Sequence, residues 1–119
     1  MNRLGVAAAL LGFVTVALGA FGAHALEGQL TAEGEAWWHT ATLYALPHAA
    51  AALAVALSGR TGLIRTGGWC LVAGAAIFAG TLWAMALGAP RWFGAITPIG
   101  GVAMLAGWAL AALGAARQP

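Results

Sequence analysis

The chain has 119 residues, of which 62% are hydrophobic and only 7% charged. Soluble domains carry about a quarter charged residues, so this composition points to a membrane protein. Five cationic side chains against three acidic ones give a formal charge of +2, with no basic patch of the kind that nucleic-acid binding requires. The single cysteine excludes an intrachain disulfide and a thiol redox pair.

Polar punctuation divides the sequence into four apolar runs, near 4–26, 37–58, 68–88 and 97–116. About 20 residues at 1.5 Å each cross a hydrocarbon core of about 30 Å. The expected fold is therefore all-α, an integral membrane four-helix bundle in one transmembrane domain over 1–119.

The first run ends in Ala23-His24-Ala25, the small-x-small pattern of a signal-peptidase site. Its apolar stretch from Leu4 to Ala23 is longer than a cleavable leader needs and long enough to span. Gly5, Ala8, Gly12, Thr15, Gly19 and Gly22 also make a continuous small-residue face, as close helix contact in lipid demands. A retained helix is expected.

The first break, EGQLTAEGE, holds all three acids. In the second run Thr40, Tyr44 and His48 follow at steps of four and share a helix face. His48 falls near mid-membrane, about 15 Å from either surface, where an imidazole must find a partner. Pro47 removes the amide that would bond the Leu43 carbonyl, and so favours a kink there. Two readings remain open. In one, Thr40, Tyr44 and His48 form a polar column for a proton, a quinone or a lipid headgroup. In the other, neutral His48 bonds a backbone carbonyl or Tyr44 and locks the bundle register.

The third run is striped by Gly67, Cys70, Gly74, Thr81, Ala84 and Gly88, the fourth by Gly100, Ala103, Gly107, Ala111 and Gly114. These stripes predict tight helix packing at Gly12, Gly19, Gly22, Gly74, Gly100 and Gly107. Gly88 and Pro90 stop the third helix, and Thr97-Pro98 starts the fourth. Trp37, Trp38, Trp69 and Trp92 read as interfacial belts, with Trp83 and Trp108 deeper in the packing.

Four arginines, Arg3, Arg60, Arg65 and Arg117, fall on one side of this topology and only Arg91 on the other. The charge bias of short loops therefore predicts cytoplasmic termini and an acidic first loop outside. His39 and His48 lie about 13 Å apart along a helix, so the three histidines cannot share one ion. His24 with His39 and a loop Glu is geometrically possible, but both read as interfacial histidines with ordinary partners. His24 and His48 differ in depth by about 10 Å or more, which does not suit paired haem ligation. No metal or cofactor is expected. Nor is catalysis, since the chain has no nucleophile with a base, no membrane carboxylate pair and no phosphate loop.

ALGAFGAHAL at 17–26, Tyr44-x-x-x-His48 and TPIGGVAMLAGWALAALGA at 97–115 together resemble the YgdD-like (transmembrane protein 256-like) family of small four-helix membrane proteins. The matching positions are Gly19, Phe21, Gly22, Ala23, His24, Tyr44, His48, Thr97, Pro98, Gly100, Gly101, Gly107 and Trp108. The resemblance implies a four-helix protein of the cell inner membrane with no assigned activity. The leading functional expectation is action through helix packing, as a homo-oligomer or with partner membrane subunits among membrane lipids and without nucleic acid. The alternative is a small-ligand or proton-handling protein using a polar site of His24, Thr40, Tyr44 and His48.

Overall fold

The structure is a computed structural model that describes residues 1–118. It contains α1 (Arg3–His24), α2 (Ala32–Leu57), α3 (Leu63–Ala86) and α4 (Thr97–Ala116), with one short 3-10 turn at Arg91–Ala95 between the last two. All four long helices have the length and apolarity to cross a membrane.

Two helices begin five residues before the expected 37 and 68, for local reasons. Thr31 caps α2, its Oγ1 accepting from the Gly34 amide at 2.9 Å, and Glu33 and Glu35 occupy the first turn. Carboxylates there meet the positive end of the helix dipole, so the acidic AEGEA segment is helical despite its polarity. Gly62, at φ +72°, turns the chain directly into α3 at Leu63. Gly88, at φ +108°, lies just beyond α3 and belongs to the turn, not to the packing stripe.

The helices alternate in direction, as contacts between their ends show. Asn2 caps α1 by accepting from the Gly5 amide and donates from Nδ2 to the Ala56 carbonyl at 2.9 Å, which ties the start of α1 to the end of α2. Gly114 near the end of α4 sits on Ile64 at the start of α3. Arg91, before α4, pairs with Glu33 in the first turn of α2. One end of the bundle thus carries the three glutamates and Arg91, and the other carries the start of α1 and the end of α4.

Each helix packs mainly on its neighbours in sequence, giving a row α1–α2–α3–α4 within an envelope of 52 × 26 × 20 Å. Two kinds of close approach hold it. Between α3 and α4 the backbones nearly touch: a Cβ on Gly74 would lie 2.7 Å from the Gly100 carbonyl, and one on Gly107 would lie 2.9 Å from the Gly67 carbonyl. Between α1 and α2, Gly12 faces Ala49, Gly19 faces Thr42 and Gly22 lies under the Trp38 indole. Small residues allow such approach where lipid offers no hydrophobic drive to association.

Near the acidic end, Trp38, Ala41, Ala45, Ala79, Leu82, Trp83 and Met85 form the largest buried cluster. Trp38 is therefore a core residue and not part of an interfacial belt. Its Nε1 donates to the Leu18 carbonyl at 2.9 Å, a bond that the missing side chain of Gly22 makes possible. Trp83 stacks obliquely against it, with ring centroids 6.3 Å apart. Trp37, Trp69 and Trp92 remain partly or largely exposed near helix ends, as a belt requires.

Candidate functional site

His48 is buried on the face of α2 that looks toward α4, and both its ring nitrogens have partners within the chain. Its Nδ1 lies 2.6 Å from the Tyr44 carbonyl oxygen, and its Nε2 lies 3.0 Å from the Trp108 indole Nε1. An indole N–H only donates, so Nε2 accepts and carries no proton. The proton is on Nδ1, donated to the Tyr44 carbonyl, and the ring is the uncharged Nδ1–H tautomer. A proton on Nε2 would set two N–H groups against each other.

The bond joins α2 to α4, helices that otherwise meet mainly through α3. The Trp108 ring lies edge-on to the imidazole at 5.7 Å between centroids, and the Tyr44 ring lies 6.4 Å away on the other side. Tyr44 in turn rests on Phe78 of α3, with centroids 5.0 Å apart. Three helices thus converge on one aromatic cluster that runs from His48 at mid-membrane one turn toward the acidic end at Tyr44. A second polar link, Thr81 to Thr97 at 2.6 Å between hydroxyl oxygens, joins α3 to α4 nearer the acidic end.

The expected polar column is only partly assembled. Tyr44 and His48 are adjacent, but it is the Tyr44 carbonyl that the imidazole bonds. The phenol hydroxyl has no hydrogen-bond partner among the described residues and stands on a half-exposed side chain. Thr40 is half-buried and joins no hydrogen bond to this cluster, and His24 is exposed at the end of α1, far from it in depth. His39 is exposed as well and lines a cavity of 330 Å³ with Glu27, Glu35 and Trp38. Among the described residues, no group of three or more His, Cys, Asp or Glu side chains is placed to hold a metal ion.

Trp108, expected from the sequence only as a deep packing residue, is the second partner of His48. A depth signal for it exists. Counted from the helix starts expected at 37 and 97, His48 and Trp108 each lie about eleven residues in, about 16 Å of rise, although α2 itself begins earlier, at Ala32. Their adjoining faces then depend on the α3–α4 glycine contact, which one helix pattern alone does not reveal.

Four apolar helices joined by short connections define a multi-pass membrane protein, and its similarity to inner membrane proteins places it in the cell inner membrane. Residues 18–101 match the family described as "Protein of unknown function (DUF423)". The chain belongs to that family.

A UPF0382 membrane protein of Staphylococcus saprophyticus is 42% identical over 89% of this chain and 90% of its own length. UPF0382 membrane protein YwdK of Bacillus subtilis is 38% identical over 92% of both chains. UPF0382 inner membrane protein YgdD of Escherichia coli K12 is 40% identical over 92% of this chain and 86% of its own. No solved structure matches the chain. The family carries no assigned activity, in keeping with the resemblance seen in the sequence.

Proposed function

We propose that the protein acts through helix packing and not through turnover, as a homo-oligomer or as a small subunit of a larger membrane complex. The observation that carries this reading is the state of His48. The one imidazole at mid-membrane has both nitrogens committed within its own chain, one to a carbonyl and one to an indole. A proton carrier or metal ligand needs a nitrogen lone pair that is free. Here Nδ1 holds the proton and Nε2 holds the indole N–H, so the residue serves as a register lock between α2 and α4. Interhelical polar contacts of this kind are common structural devices in membranes.

The row of helices supports the association half of the reading. α1 and α4 sit at opposite ends and leave large apolar side chains outward, among them Phe13 and Val16 on α1 and Val102 and Leu105 on α4. Either end can accept a further helix. Extraction in a gentle detergent followed by native mass spectrometry is expected to yield a defined multimer or a stoichiometric membrane partner. A protein that leaves every mild extraction as a free monomer with no partner contradicts the proposal.

In this reading both termini are cytoplasmic and the acidic end faces outward, following the arginine asymmetry. Cysteines introduced at Thr31 and Thr61 should then react with an impermeant thiol reagent from opposite sides, Thr31 from outside. Reaction of both from the same side contradicts the orientation.

A further inference from the structure

The groove between α2 and α4, floored by α3, opens at the acidic end, and the unpaired phenol of Tyr44 belongs to a ring that packs on Phe78 in its lining. Its upper part is a cavity of 330 Å³ whose lining includes Trp37, Phe78, Leu82, Met85, Arg91 and Thr97. The walls are apolar except at the mouth. There Arg91 lies over the Trp37 ring, 5.6 Å from its centroid, and pairs with Glu33. Both charged side chains are more than half exposed, so the mouth presents a cation and an anion side by side at the level of lipid headgroups.

Tyr44 stands next inward of this lining. It lies seven residues after Trp37, on the same face of α2 and two turns deeper, against the Phe78 ring that also lines the cavity. Side chains on a helix tilt toward its N-terminus, so the phenol rises toward the cavity. A hydroxyl without a partner in hydrocarbon is costly, and among the described residues nothing bonds it. Lipid tails offer no acceptor. The glycerol ester carbonyls of a phospholipid, just beneath its phosphate, do.

We propose that this groove holds one zwitterionic diacyl phospholipid with a phosphate and a primary ammonium in its headgroup, the phosphoethanolamine class. The phosphate meets Arg91, the ammonium meets Glu33, an ester carbonyl accepts from Tyr44, and an acyl chain lies along Leu82 and Phe78. Charge selects the headgroup. Glu27, Glu33 and Glu35 outnumber Arg91 at this end, which disfavours a net anionic lipid. A trimethylated ammonium cannot donate to Glu33, and the Trp37 face that would attract it is already covered by Arg91. An Arg–Glu pair matches a dipolar headgroup in which both ends form charge-assisted hydrogen bonds.

The test is native mass spectrometry of the full chain in a mild detergent with added phosphatidylethanolamine, phosphatidylglycerol or phosphatidylcholine. Preferential retention of one phosphatidylethanolamine per chain is expected. Tyr44→Phe removes a hydroxyl that bonds nothing in the protein, so it leaves thermal stability unchanged and weakens retention about threefold to tenfold, the scale of a hydrogen bond in a membrane. Arg91→Gln weakens it further. Glycerophosphoethanolamine and inorganic phosphate, which lack acyl chains, should not displace the lipid. Retention of phosphatidylglycerol equal to or above that of phosphatidylethanolamine overturns the proposal. So does wild-type retention in Tyr44→Phe, displacement by inorganic phosphate, or a lipid-free dimer as the sole species.

Discussion

Replacing Gly100 by leucine is expected to separate α4 from α3 and to cost roughly 3 kcal/mol or more of stability in detergent, at the upper end of overpacking effects. Even the first carbon of the new side chain would lie 2.5 Å from the Phe78 amide nitrogen, 2.6 Å from the Gly74 carbonyl oxygen and 2.9 Å from the Phe78 Cα. All three are backbone atoms of a helix and cannot rotate aside, so the helices must move apart. That displacement also strains the Thr81–Thr97 link and the reach of Trp108 to His48. Gly80→Ala is the internal control, because a Cβ at Gly80 meets nothing within 4 Å. It should be neutral or gain up to about 1 kcal/mol from helix propensity. Thermal unfolding followed by circular dichroism checks both, and equal melting of Gly100→Leu and wild type would remove the glycine contact from the account.

Gly22→Leu is expected to have the second largest effect, a loss of roughly 2–4 kcal/mol from overpacking together with the loss of a buried hydrogen bond. A Cβ at Gly22 would fall 1.9 Å from Trp38 Nε1, inside the indole. The ring must leave its place. With it go the bond to the Leu18 carbonyl and the contact with Trp83 in the principal cluster. Melting temperature and tryptophan fluorescence should change together, with a red-shifted emission from the displaced indole. An unchanged emission spectrum would mean that Trp38 is not seated on Gly22.

These two sites differ in how far they were legible. The α4 stripe of Gly100 and Gly107 follows from sequence periodicity, and Gly67 and Gly74 supply the partner face on α3. The stripe on α1 is equally visible, but its role at Gly22 depends on Trp38. That residue lies beside Trp37 and His39 near a helix start, where tryptophan usually marks the interface. Because α2 begins at Ala32, Trp38 falls nearly two turns inside the helix and faces α1. The hydrophobic pattern could not supply that earlier start, because AEGEA is polar and is helical through its cap and its dipole.

The polar site was legible in position and not in partnership. Cost alone marks His48 as a residue that needs a partner in the membrane. Of the partners expected for it, a backbone carbonyl or Tyr44, the Tyr44 carbonyl takes one nitrogen. Trp108, which takes the other, lies 60 positions away on a helix whose rotation is set by the glycine contact with α3. Thr40 and His24 share the expected polar character without reaching the cluster, since proximity on one helix face or in one motif does not fix contact in depth.

The state of the imidazole decides between a lock and a site that is open to a proton or ligand. Nitrogen-15 NMR of the detergent-solubilised protein, with histidine and tryptophan labelled, reads it directly. The account predicts an Nδ1-protonated, uncharged His48 whose Nε2 shows a hydrogen-bond coupling to the Trp108 indole proton, lost in Trp108→Phe. An Nε2-protonated ring, or a Trp108 indole proton with no coupling to His48, would contradict it.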